Sequence, residues 1–208
     1  MPRTVRKSRR ARCLLWLGLG FMLAGPANAA DVEHVDVSHD GTRYHVTARL
    51  SVAVGRQAAY RAATSFEALA DRAELIRSTR RIGRDRLSSA LSMCVLFYCK
   101  QIQQVMTYRL TPPKAIDMKV VPDAGDLKAG AAHWRFRADG PHRTIIGFDS
   151  TIEPAFWVPP MVGDWAIGRA LRHQIADTGK AIEAVAESAR AAHPVSPDSR
   201  ADTARHAD

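Results

Sequence analysis

Apolar and polar residues alternate over Tyr44, Val46, Ala48, Leu50, Val52 and Val54, with Ala53 the one exception among the intervening positions. A period of two predicts a strand with one buried face. His39-Asp40-Gly41 before it is a turn signal, so Val32 to Val37 is expected as a short partner strand. From Arg56 to Ala73 the spacing becomes helical. Thr64 and Glu67 fit a capping box, and Phe66, Leu69 and Ala70 follow on one helical face. A run of strands comes next, the first two over Leu75 to Ile82 and Leu87 to Leu96. Ile102, Met106, Tyr108 and Leu110 share a face of the third, with Gln104 among them, and Pro112-Pro113 ends it. Ile116, Met118 and Val120 alternate, then Ala132, Trp134 and Phe136, then Ile146, Phe148, Ser150 and Ile152. Pro122-Asp123-Ala124-Gly125 and Ala138-Asp139-Gly140-Pro141 are the turns between them.

After Pro159-Pro160 a long apolar stripe at helical spacing runs through Met161, Trp165, Leu171, Ile175, Ile182 and Val185, with Gly168 and Gly179 on or near the same face. The order is strand, short helices, about six antiparallel strands and a long C-terminal helix. That is an α+β protein in which an antiparallel sheet packs against one helix.

The ends of the chain change the picture. Arg3, Arg6, Lys7, Arg9, Arg10 and Arg12 precede an apolar run from Cys13 to Ala24, and Ala27-Asn28-Ala29 supplies small residues for cleavage. Residues 1–29 therefore read as a secretory signal peptide, cleaved near Ala29, and the run is too short for a spanning helix. Of the net charge of +9 on 208 residues, six positive charges lie in this segment. The remaining 179 residues carry only +3, so the basicity belongs mostly to the export signal and no nucleic-acid partner is expected. The one arginine cluster, Arg77, Arg80, Arg81, Arg84 and Arg86, reads as a solvated strand face, with an anionic surface as its other reading. Residues 190–208 have almost no apolar content and are expected as a disordered tail after a single domain over 30–189.

Cys94 and Cys99 are the two cysteines left after export. They could be packed thiols, a disulfide or a metal site. An oxidising compartment favours pairing. Five residues of straight strand span roughly 16 Å, however, and a bridge needs Cα atoms within about 7 Å. The intervening Val95-Leu96-Phe97-Tyr98 holds no turn residue. No histidine or second cysteine pair has ligand spacing nearby, so no metal is expected. The decision rests on the fold.

Four stretches together carry a resemblance: YRAATSFEALADRAEL from Tyr60, TYRLTPPKAIDMKVV from Thr107, AAHWRF from Ala131 and TIIGFDSTIEPAFWVPP from Thr144. In this order they resemble the START-like or SRPBCC superfamily, closest to its polyketide cyclase/dehydrase and coenzyme Q-binding branch. The likeness spans about residues 44 to 189. Two departures stand out. Ser65 occupies the place of an aspartate often seen there, and the proline that often follows is absent. The resemblance implies a helix-grip fold, with a curved antiparallel sheet of about six or seven strands wrapped around a long C-terminal helix. It also implies a bend near Val95–Tyr98 that would bring Cys94 and Cys99 to bridging distance, hence a disulfide. Finally, it implies a cavity between sheet and helix.

No H-E-x-x-H, G-x-S-x-G, P-loop or dinucleotide glycine pattern occurs outside the signal, and no catalytic residue or cofactor is assigned. Asp149, Glu153 and His133 fall on the outward register. The inward set is Gln104, Met106, Tyr108, Met118, Trp134, Phe136, Phe148, Ser150 and Trp165. Plain core is the default for such residues, but with a helix-grip cavity they become candidate ligand contacts. Tyr108, Ser150 or Gln104 would set a ligand's orientation. The function expected is non-catalytic binding of one lipid, isoprenoid or quinone by an exported monomer with room for transient contact with a membrane surface. A cyclase or dehydratase would need an inward acid or base, and an envelope-protein interaction domain would need a filled core.

Overall fold

The computed structural model describes residues 30–95, 98–158 and 164–192. Residues 1–29, expected as signal peptide, and 193–208 of the tail expected over 190–208 lie outside the described residues, while 190–192 belong to the final helix. Two antiparallel strands come first, β1 (Asp31–Asp40) and β2 (Arg43–Val52), followed by helices α1 (Arg56–Thr64) and α2 (Phe66–Ala70). Six strands then follow in an unbroken meander: β3 (Ile76–Arg81), β4 (Arg86–Val95), β5 (Tyr98–Thr111), β6 (Ala115–Val120), β7 (Leu127–Ala138) and β8 (Thr144–Pro154). Helix α3 (Asp164–Ala192) ends the described chain.

The strands form one antiparallel sheet in the order β1-β2-β8-β7-β6-β5-β4-β3. The first hairpin therefore sits beside the last strand. Helices α1 and α2 carry the chain from there to the opposite edge, and the meander returns to meet β2. Eight strands replace the expected six or seven. The first of them, expected as a short partner strand over Val32 to Val37, is ten residues long and pairs with β2 over almost its full length.

Alternation explains the core. Val46, Ala48, Leu50 and Val52 of β2 are all buried, and so are Phe136 of β7 and Ile146 of β8. The C-terminal half of α3 closes over them with Ala181, Ile182, Val185 and Ala186. Gly179 sets the distance of approach: a Cβ there would lie 2.9 Å from Leu50 Cδ1 and 2.7 Å from Ala30 Cβ. Two carboxylates of α3 fasten neighbouring loops. Glu183 accepts the Ala53 N–H at 2.6 Å, and Asp177 accepts the Glu74 N–H at 2.7 Å.

The capping box is corrected. The helical stretch after Arg56 breaks at Ser65, whose backbone leaves the helix at φ −83°, ψ 65°. The hydroxyls of Thr64 and Ser65 donate backward, to Tyr60 O at 2.9 Å and Arg61 O at 2.9 Å, and so finish α1 instead of starting α2. Glu67 accepts the Arg81 N–H of β3 at 3.1 Å. The capping motif failed because both of its side chains found other partners.

The cysteines follow the bend that the resemblance implied. Strand β4 ends at Val95, β5 begins at Tyr98, and the two pair antiparallel with Cys94 opposite Cys99. Their Cα atoms are 4.0 Å apart and the two residues form a disulfide.

Candidate ligand cavity

The inward faces of β4, β5 and β6 meet α3 in part, with Met93 of β4 packed against Ile167. They enclose, with the N-terminal half of α3, a cavity of about 330 Å³. That is the low end of the ~300–1,000 Å³ usual for small-molecule sites. Period-two geometry lines it. Leu87, Ser89, Leu91 and Met93 come from β4, and Lys100, Ile102, Gln104 and Met106 from β5. Ile116, Met118 and Val120 of β6 form the floor, with Trp134, Phe148, Ser150 and Ile152 of β7 and β8 beside them. Ile167, Leu171, Gln174, Ile175 and Thr178 of α3 form the roof. Three methionines at irregular positions suit a wall that must adapt to a guest.

Six of the nine residues expected to contact a ligand are on this wall: Gln104, Met106, Met118, Trp134, Phe148 and Ser150. The Trp134 and Phe148 rings pack with centroids 4.8 Å apart. Tyr108 and Phe136 are not on it. Tyr108 lies one rung beyond Met106, packs its ring against Phe66 at 5.1 Å and donates its hydroxyl to Arg84 O at 3.0 Å. Phe136 lies one rung beyond Trp134, where α1 covers the sheet, and its ring meets Tyr60 edge-on at 5.5 Å in the packed core. Both share the strand face of cavity residues, so alternation alone could not separate them. Trp165 belongs to α3, but its side chain lies outside the described part.

Sequence reasoning missed most of the roof, together with Tyr44, Ser89 and Lys100. Thr79, Ser89 and Gln104 form a polar rung across three strands: Thr79 pairs with Ser89, and Ser89 with Gln104. The Thr79 and Ser89 hydroxyls are 3.1 Å apart. Gln104 is only 8% exposed, and its amide makes no side-chain hydrogen bond among the described residues. Leaving such a group unpaired in a buried site costs about 1–3 kcal/mol. On the roof, Gln174 Oε1 is buried and without a partner among the described residues. Ser150, by contrast, is satisfied, donating to Ala131 O at 3.1 Å.

The cavity's ionisable groups are few. Among the described lining residues there is no Asp, Glu, His or Cys. Lys100 holds its ammonium 4.9 Å from the centre of the Phe156 ring, one position from the disulfide. Asp149 is exposed, Glu153 pairs with Arg43 at 3.3 Å, and His133 Nδ1 pairs with Asp117 at 2.8 Å on the outer face. Arg77, Arg80, Arg81, Arg84 and Arg86 are all exposed, and Arg81 also donates to Thr64 O at 2.7 Å. No group of three or more metal-ligating side chains occurs among the described residues, and no helix there is long and apolar enough to cross a membrane.

A "START superfamily protein" from Mycobacterium smegmatis superposes with a TM-score of 0.56 at 17% identity, over 70% of this chain and 98% of that one. The fold is START-like. A protein from Thermus thermophilus gives the same figures. The Zhui aromatase/cyclase from Streptomyces sp. R1128 superposes at 0.54 with 15% identity, over 74% of this chain and 99% of that one. The sequence itself matches no protein-family model and no curated protein. The START-like architecture is thus evident in the backbone arrangement, an eight-stranded antiparallel sheet gripping one long helix.

Proposed function

We propose that this START-like protein is an exported, non-catalytic carrier that sequesters one hydrophobic small molecule, a lipid, isoprenoid or quinone, between its sheet and α3. The observation that carries the reading is the cavity of about 330 Å³, walled by methionine, aliphatic and aromatic side chains. Burial of an apolar guest there would contribute roughly 25 cal/mol per Å², before the costs of association. The basic and apolar leader ending near Ala29 and the exposed Cys94–Cys99 bridge both suit an oxidising compartment outside the cytoplasm.

Native mass spectrometry of protein recovered from the exported fraction, followed by organic extraction, tests this. A stoichiometric hydrophobic adduct is expected. The Ala132→Phe variant, which fills the cavity beside Met118 and Ser150, should lose it while remaining folded. A clean apo mass, with no uptake of added lipid or quinone, would overturn the reading.

A second reading draws on the fold shared with an aromatase/cyclase. Cyclisation needs an acid or base on the wall, and the ionisable side chains among its described residues are Tyr44 and Lys100. Turnover of a linear poly-ketone that Lys100→Met abolishes would favour this reading over a carrier.

A further inference from the structure

We infer that the guest is an uncharged amphiphile whose hydroxyl, carbonyl or amide end is read deep in the cavity by Gln104, and that an ionised head is excluded from that depth. This inference rests on the carrier reading and narrows its ligand class.

Gln104 sits on the second of four inward rungs of the β4–β5 pair: Leu87/Met106, Ser89/Gln104, Leu91/Ile102 and Met93/Lys100. The rungs on both sides of Ser89/Gln104 are wholly apolar. A guest that reaches Gln104 lies between apolar rungs, with the Thr79 and Ser89 hydroxyls on the same rung and Gln174 on the roof as other polar groups of the wall. The Thr79 and Ser89 hydroxyls bond each other at 3.1 Å. An amide that lines open volume with no side-chain partner among the described residues can bond a group the guest supplies. An amide offers one acceptor and two donors, so a hydroxyl, ketone or amide end fits it equally.

The charges decide between neutral and ionised heads. Among the described lining residues there is no carboxylate or imidazole, and the one fixed cation is Lys100. It lies four residues from Gln104 along β5, about 13 Å at strand rise. Its ammonium is already placed over the Phe156 ring, beside the exposed disulfide. A carboxylate or phosphate at Gln104 would be buried with no counter-charge within reach, which strongly disfavours it. An anionic head would instead stop at Lys100 and leave Gln104 unpaired.

Competition against the neutral dye Nile red tests this, with decane, 1-decanol and decanoate as competitors. The expected order is 1-decanol first, then decane, with decanoate weakest at neutral pH. Gln104→Leu, close in shape, should weaken 1-decanol by about tenfold, the worth of one lost hydrogen bond. It should leave decane unchanged or slightly tighter, which also reports that the variant is folded. Decanoate as the best competitor, with its binding lost in Lys100→Met and untouched in Gln104→Leu, would place the head at the mouth and overturn the inference. Equal binding of decane and 1-decanol would overturn it as well, while leaving the carrier reading intact. Failure of Nile red and all three competitors to bind would remove the carrier reading itself.

Discussion

The two halves of α3 face the same sheet and do different things. The C-terminal half, from Gly179 onward, presses onto β2: Ala181, Ile182, Val185 and Ala186 are buried, and Ile182 is fully enclosed. The N-terminal half packs Ile167 against Met93 of β4 and against Val37 and Tyr44 of the first hairpin, and borders the cavity elsewhere. Of its apolar residues Ile167 is buried, while Leu171 and Ile175 are only half covered and border the cavity. The difference begins with side-chain size and anchoring. Glycine and alanine let the backbones approach, and the Glu183 and Asp177 carboxylates bind the adjoining loops. Leu171 and Gln174 face open volume instead of packed side chains. One continuous helix can thus be a structural wedge at one end and a roof at the other.

The comparison breaks most visibly under truncation. Ile182→Ala should cost about 2–5 kcal/mol, since it opens a void in a close-packed region. Met118→Ala only enlarges existing space and should cost about 1 kcal/mol or less. Urea unfolding of both variants measures the contrast, and similar losses would show that the open end is packed as tightly as the closed one.

A smaller effect is expected from the bridge at the open end. It closes a loop of only a few residues, so replacing both Cys94 and Cys99 with alanine should remove about 2 kcal/mol. Because Met93 and Lys100, the next rung inward, line the cavity, the same variant should also bind Nile red differently. Unchanged affinity would mean that the hairpin holds the mouth without its bridge.

The smallest expected effect is at the closed end. Tyr60 is buried among Ala59, Phe136 and the α3 alanines, and its hydroxyl has no partner among the described residues. Burial raises its pKa above the ordinary 10.0 because the phenolate would be desolvated. The neutral phenol binds its proton more tightly in the folded than in the unfolded chain. Stability from this residue is therefore constant below pH 10 and declines as the pH rises beyond it. Tyr60→Phe should be neutral or slightly stabilising at about pH 7, by up to about 1 kcal/mol, and should flatten the alkaline decline. Thermal melts between about pH 7 and 11 check both, and destabilisation at neutral pH would show that the hydroxyl is hydrogen-bonded after all.

Much of this architecture was legible in the sequence because a strand with one buried face must alternate and a helix on a sheet must carry a stripe. Each of the eight strands overlaps a segment expected from the sequence, with β1, β5 and β7 longer than expected, and β1 was foreshortened because its residues are mostly exposed. The outward placement of His133 and Asp149 followed from the same parity. Parity stops at the face, however. Met106 and Tyr108, or Trp134 and Phe136, point to the same side, and only the position of α1, α2 and α3 above them separates cavity wall from packed core. Local motifs were weaker still. Thr64 and Glu67 have capping spacing, but β3 and the end of α1 supplied better partners.

The sequence by itself determined the α+β class, the strand-rich middle, the long final helix and the apolar character of the inward face, because these follow from local periodicity. Tertiary structure alone decided that β2 meets β8, that Cys94 faces Cys99 without any turn residue between them, and that Gln104 lines open volume. Those depend on which distant residues the curved sheet and one tilted helix bring together, and no pattern along the chain encodes that distance.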